Sequence, residues 1–333
     1  MVTGRISTTL PLILPLDLPS SVAPILMLPL IRFVGTETDT VTETETRDGI
    51  AGRPGQRYPR WRMSYRNDTA IWVYHLKRGG GHAVVNWIAR NMDRQVFHLN
   101  NAFSKPRKAR WRGEKIFRRI TEPDRYGGPG RRLYNVELQP GTGWREVAAM
   151  PKEVLLTNVE NFPLELISSQ PLLSEGAHRL IGNSRRRITV LVLRDAFNTF
   201  ASVRHGKRRM RNRLHRFYRT QWKVYAKEFL GETSYLPEDT IMVSFNAWFS
   251  DADYRKELAA ALGLDHVDRG RDEVSTDGGG SSFTGRDFQN RARDMAVLER
   301  WRHFIDDPDY IAAFDEETVE LSRRIFGDVT KVV

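Results

Sequence analysis

Apolar residues along this chain come in short runs separated by glycine and charged turns. Residues 71–74 (Ile71, Trp72, Val73, Tyr74) are β-branched or aromatic over the length of a buried strand. A cationic turn follows with Lys77, Arg78, Gly79, Gly80 and Gly81, and then Val84, Val85, Trp87 and Ile88 recur at helical spacing. Further along, 95–99 reads as a short second strand, 153–158 as another buried strand, 188–193 (ITVLVL) as the central strand, and 240–245 as a fourth parallel strand. Between and after them, Leu214, Phe217, Trp222, Tyr225 and Phe229 give 212–231 one apolar helical face, and 253–262 predicts a helix closed by Gly263. Residues 288–326 predict helix with a break at Asp307 and Pro308. Strands alternating with helices point to an α/β class, with a mainly parallel sheet flanked by helices.

Residues 1–65 do not follow this pattern. The apolar stretch 10–30 holds five prolines and Asp17, which oppose a continuous helix. Only Arg5 precedes it, a poor match to a signal peptide. A Thr/Glu tract at 36–46 and a Gly/Pro/Arg stretch come next, compositions that bury too little surface to fold. The expectation is a disordered, low-complexity extension over 1–65, with Met63 near the working start, and a folded domain over 66–333. Membrane anchoring through 10–34 is the competing expectation. The basic, turn-rich segment 105–145 reads as a surface excursion, or as a lid or acceptor-binding loop anchored by Trp111, Tyr126 and Trp144.

Composition narrows the chemistry. The 333 residues include 40% hydrophobic ones, enough for a sizeable core, and carry a net charge of +11. Such a balance favours an anionic partner, whether nucleotide, sulfated or phosphorylated substrate, nucleic acid or membrane surface. There is no cysteine, so disulfides, thiolate metal sites and cysteine nucleophiles are excluded. That fits a reducing compartment, and a cytoplasmic location is expected.

Three places could bind an anion. Strand, glycine turn and helix in succession at 71–92 place backbone N–H groups and a positive helix end around a phosphate. The turn lacks the GxxxxGK[ST] spacing of a nucleoside-triphosphatase loop, so no side chain is set to hold Mg²⁺. Arg194 follows the central strand directly, where ligands of open parallel sheets sit, and Ser202 lies in the second turn of the next helix. The two could share one anion. GGGSSF at 278–283 reads either as a flexible loop or as a nest of N–H groups and hydroxyls beside Arg286 and Arg291, suited to a phosphate or adenine. The basic run at 204–213 is a solvated face or an attractor of anionic substrate.

Together, the glycine turn, the strand-end RDxxNxxxS (Arg194, Asp195, Asn198, Ser202) and the late glycine loop resemble the sulfotransferase family, which uses 3′-phosphoadenosine 5′-phosphosulfate (PAPS). The similarity runs over roughly 70–291. It implies a three-layer P-loop-type fold and an in-line sulfuryl transfer to a hydroxyl or amine, with no metal. The family's 5′-phosphosulfate loop would correspond to Lys77, Arg78, Gly79, Gly80, Gly81, His82 and Ala83, with Lys77 or Arg78 at the catalytic lysine position. Arg194 and Ser202 would bind the 3′-phosphate, covered by Gly279, Gly280, Ser281, Ser282 and Arg286. The base would be Glu160, with His82 second. The basic segment 105–145 points to an anionic or glycan-like acceptor. Two other classes stay open: a P-loop-type phosphotransferase, and a basic nucleic-acid-binding protein built on the arginine run and interleaved aromatics.

Overall fold

A computed structural model describes residues 65–100, 133–139, 141–167, 181–206, 211–265, 267–275 and 280–330. The N-terminal extension and most of the basic excursion, with Trp111 and Tyr126, lie outside these residues, as do Gly278 and Gly279. The elements are β1 (Tyr65–His75), α1 (Gly81–Arg90), β2 (Val96–Asn100), β3 (Leu133–Tyr134), α2 (Trp144–Ala149), β4 (Lys152–Glu160), β5 (Asn183–Leu193), α3 (Ala196–Arg204), α4 (Arg219–Phe229), β6 (Ile241–Ser244), α5 (Phe245–Ser250), α6 (Ala252–Leu262), α7 (Pro308–Ile311) and α8 (Glu316–Phe326).

The six strands form one sheet in the order β3-β2-β4-β1-β5-β6. All neighbours run parallel except the two-residue β3, which pairs antiparallel with β2. Strand β1 is buried on both faces, and its side chains alternate between two cores. Trp72, Tyr74 and Leu76 pack with Phe200 of α3, Trp222 and Tyr225 of α4, and Leu321 of α8. Ile71 and Val73 pack with Val84, Trp87 and Ile88 of α1, Trp248 of α5, and Leu258 and Leu262 of α6. Helix, sheet and helix therefore make three layers.

The segment expected to be helical through 288–326 is mostly not. It forms 3₁₀ turns at Ala292–Asp294 and Arg300–Phe304, with α-helix only in α7 and α8. Its polar groups are spent on neighbouring loops instead: Asp272 pairs with Arg293, and Asn198 bonds the Leu298 carbonyl at 2.9 Å. Pro308 begins α7 rather than breaking a longer helix, with Asp307 as its N-cap.

The order of strands locates the site. From β1 the chain passes through α1 to β2 on one side, whereas from β5 it passes to β6 on the other. Adjacent strands leaving in opposite directions open a crevice beyond their carboxyl ends, where open α/β sheets bind ligands. The glycine turn leaves β1 at this point, and Arg194 follows β5 at the same level.

Candidate functional site

The turn after β1 is closed by the Gly79 N–H donating to Leu76 O at 3.0 Å. Arg78 takes φ 70° and Gly80 φ 83°, both in the left-handed region. Helix α1 then starts with no side-chain cap and no acidic residue in its first turn. The N–H groups of Gly81 and His82, at the first two helical positions, have no intrahelical carbonyl to reach, so the positive end of the helix is available to an anion.

The glycines also have a packing role. A Cβ on Gly80 would lie 2.2 Å from the Phe245 ring, and one on Gly81 would lie 2.1 Å from the His75 ring. Space freed at these two positions is filled by protein side chains.

Two guanidinium groups meet on the β5 side of the turn, and the charge of Arg78 lies near enough to act on Arg300. Arg194 Nη1 donates to Arg78 O at 3.3 Å and Ser202 Oγ at 3.2 Å, and its Nη2 donates to Val297 O. Arg300 reaches Ser202 Oγ at 3.1 Å, Ser281 Oγ at 2.9 Å and Ser282 Oγ at 3.5 Å. Ser202 donates its own proton to Asn198 O at 2.8 Å, so its oxygen is free to accept from both arginines. Among the described residues, Arg78, Arg194 and Arg300 form no ion pair. The Nε atoms of Arg78 and Arg194 are buried without a partner.

Burial pushes Arg194 down to about 10. Arg300 is pushed down to about 8 by burial first, then by the like charges of Arg194 and Arg78. Guanidinium groups stay protonated near neutrality, so these depressions express the cost of gathering positive charge away from water. An anion placed among the three would remove that cost.

The late loop is a tight hairpin in which Ser281 and Gly285 exchange backbone hydrogen bonds at 2.8 and 3.1 Å. Gly280 turns at φ 86°, where a Cβ would strike Gly285 O at 2.3 Å. Phe283 packs between the His205 ring, with centroids 4.1 Å apart, and the Arg300 guanidinium at 4.8 Å.

On the β4 side, Lys77 Nζ lies 3.6 Å from Glu160 Oε2, with Glu160 largely buried. Next to this pair is a polar network that the periodicity of the strands conceals. Asn158 Oδ1 accepts from His98 Nε2 at 2.8 Å, and Asn158 Nδ2 approaches Asn100 Oδ1 at 3.1 Å and His75 Nε2 at 3.3 Å. His82 Nε2 lies 3.2 Å from Asn100 Oδ1, and its ring meets that of His75 edge-on at 5.2 Å. His75 Nδ1 faces the Leu76 carbonyl at 3.2 Å and so carries the proton, leaving Nε2 to accept. Burial, with His82 close by, holds the His75 imidazole neutral and lowers its pKa to about 4.

The structure thus links Lys77, Arg78, Gly79, Gly80, Gly81, Glu160, Arg194, Ser202, Gly280, Ser281 and Ser282 near the carboxyl ends of β1, β4 and β5. Ala83 follows in α1, with its N–H bonded to Gly80 O at 2.9 Å. His82 is turned toward Asn100 and Asn158. Arg286 is exposed, and the guanidinium that reaches the loop's serines belongs to Arg300. Arg300, Phe245, His75 and Asn158 were not anticipated. Arg300 sits in a segment whose sequence reads as an ordinary helix, and the other three are partners brought in by tertiary packing.

Several solved structures are similar to this chain. The sulfotransferase domain of a Synechococcus olefin synthase is 13% identical, with 80% of this chain and 97% of that one aligned at a TM-score of 0.47. Mouse sulfotransferase SULT7A1 complexed with PAP is 11% identical over 78% of this chain and 86% of that one, with a TM-score of 0.39. Retinol dehydratase in complex with androsterone and the inactive cofactor PAP is 14% identical over 79% and 81%, with a TM-score of 0.34. No protein-family model matches the sequence, and no curated protein matches it. Among the described residues no helix is long and apolar enough to cross a membrane, and no three His, Asp or Glu side chains are grouped as a metal site.

Proposed function

We propose that the chain is a sulfotransferase that moves a sulfuryl group from PAPS to a hydroxyl or amine. The observation that carries this reading is the convergence of Arg194 and Arg300 on the Ser202 hydroxyl, with Arg300 also reaching Ser281 and Ser282 and no carboxylate paired to either arginine among the described residues. A 3′-phosphate dianion satisfies that cluster. The open N-terminus of α1 and the turn amides take the 5′-phosphate.

In this reading the acceptor oxygen or nitrogen attacks sulfur in line with the departing phosphate oxygen. The bond from sulfur to the acceptor forms as the bond from sulfur to the bridging oxygen breaks, releasing adenosine 3′,5′-bisphosphate. Lys77 Nζ and the Gly80–His82 amides stabilise charge on the leaving oxygen, with Arg78 as the alternative cation. Preorganised donors of this kind are worth about 3–4 kcal/mol elsewhere. Glu160 takes the acceptor's proton, with His82 as the alternative base. The protein supplies positioning and charge throughout, as in phosphoryl transfer. The basic segment 105–145 favours an anionic or glycan-like acceptor.

The test is a thermal-shift comparison of PAPS, adenosine 3′,5′-bisphosphate and ATP on the full chain, followed by detection of sulfuryl transfer. Stabilisation by the two 3′-phosphorylated nucleotides and not by ATP is expected. Equal stabilisation by ATP, dependent on Mg²⁺, would favour a phosphotransferase instead.

A further inference from the structure

Three uncommon backbone features meet beside the Lys77–Glu160 pair. Arg78 has φ 70° and Asn161 has φ 56°, both unusual for residues other than glycine. Leu214–Tyr218 is a π-helical turn in which the N–H groups of Phe217 and Tyr218 both donate to Arg213 O. Strained residues and π turns persist where the surrounding structure over-determines them, and they concentrate at functional sites.

Asn161 connects all three. It follows β4 directly, one residue after Glu160. Its backbone N–H donates to His75 O at 2.9 Å, and its side-chain Oδ1 accepts the Lys77 N–H at 2.8 Å. Its amide also lies beside the phenol of Tyr218, a residue only 2% exposed. The end of β4 is thereby fastened to the end of β1 and to the first residue of the glycine turn. Few residues can do this. Asparagine tolerates the left-handed region and still offers a carbonyl to a backbone donor.

We infer that Asn161 is a positioning residue: it fixes the Lys77–Arg78 turn against β4, and so keeps Lys77 Nζ at its working distance from Glu160. The inference rests on the sulfuryl-transfer reading for its consequence, but not for its geometry. Asn161 itself touches no reacting atom. Its loss lets the turn move while leaving Arg194 and Arg300 in place, so turnover suffers more than nucleotide binding.

Asn161→Gly separates the side-chain bond from backbone strain, because glycine keeps a positive φ without cost. Asn161→Ala removes the side-chain bond and adds the cost of a positive φ. Three measurements on the full-length variants decide the matter: amide hydrogen exchange over residues 76–82, kcat and KM for conversion of PAPS to adenosine 3′,5′-bisphosphate with water as acceptor, and Kd for the bisphosphate. For Asn161→Gly, exchange over 76–82 should rise about tenfold or more and kcat should fall by about 10- to 100-fold, as expected for misplacement of about 1 Å. KM and Kd should stay within about threefold. Unchanged exchange, or a loss confined to KM, would overturn the inference. A wild-type protein that neither binds the bisphosphate nor consumes PAPS would remove the transfer reading, while the exchange result would still decide whether Asn161 holds the turn.

Discussion

Replacing Arg300 with methionine should make the free protein more stable while weakening its hold on nucleotide. Arg300 is 9% exposed and reaches only hydroxyl oxygens, with Arg194 and Arg78 as like-charged neighbours. A methionine of similar length removes the buried charge and keeps most of the packing on Phe283. Few acceptors are orphaned by the change. Ser202 Oγ keeps Arg194, and Ser281 Oγ keeps the N–H groups of Phe283 and Thr284 at 3.2 and 3.3 Å. Exchanging buried charge for an apolar side chain is commonly neutral to stabilising, here by about 1–3 kcal/mol. For a domain of this size that corresponds to a rise in Tm of about 2–10 °C.

The opposite sign is expected with ligand. A charge-assisted hydrogen bond to phosphate is worth about 1.5–3 kcal/mol, so Kd for adenosine 3′,5′-bisphosphate should weaken about 10- to 100-fold. At a concentration near 100 times the wild-type Kd, the nucleotide stabilises the wild type by about 2.7 kcal/mol, and a variant binding 100-fold more weakly by less than about 0.5 kcal/mol. Scanning fluorimetry with and without nucleotide reads both effects, and titration calorimetry gives Kd. A variant of lower Tm that keeps the full nucleotide shift would refute the reasoning, because Arg300 would then be a structural tie for the hairpin.

Glu160→Gln should lower turnover by about 10²–10⁴-fold with Kd for the bisphosphate nearly unchanged, and a fully active variant would pass the role of base to His82. Gly80→Ala should destabilise the chain by about 1–3 kcal/mol in urea unfolding, since its Cβ meets the Phe245 ring at a backbone φ of 83°. Because His75 is lowered to about 4 when folded, the unfolded chain takes up a proton first as pH falls. Its contribution to stability is complete above about pH 6.5 and is lost between about 6.5 and 4, on the order of 3 kcal/mol. His75→Gln should flatten that limb of the stability curve, and an unaltered slope would count against a neutral His75.

The strands other than β3 were legible because each holds a short, mostly apolar run, the mark of a sheet buried on both faces, and ITVLVL did become the inner half of β5. The glycine turn and the Arg194–Ser202 pair were legible because both are local: strand end, turn and helix start fall within a dozen residues. The contacts that complete the cluster were not. Arg300 approaches Ser202 from 98 residues away and Ser281 from 19, by way of 3₁₀ turns whose sequence has ordinary helical character. Asn158 sits in an apolar strand and reads as an interruption, yet it is satisfied by three histidines and an asparagine drawn from β1, β2 and α1. Tertiary pairing decided these positions, and no local pattern announces it.

The most direct test of the account is a crystal structure of the full chain with adenosine 3′,5′-bisphosphate. The 3′-phosphate is expected within hydrogen-bond distance of Arg194, Arg300 and Ser202, and the 5′-phosphate at the amides of residues 80–82 beside Lys77. A nucleotide bound with neither phosphate in that crevice, or the three arginines still unpaired in a saturated complex, would contradict it.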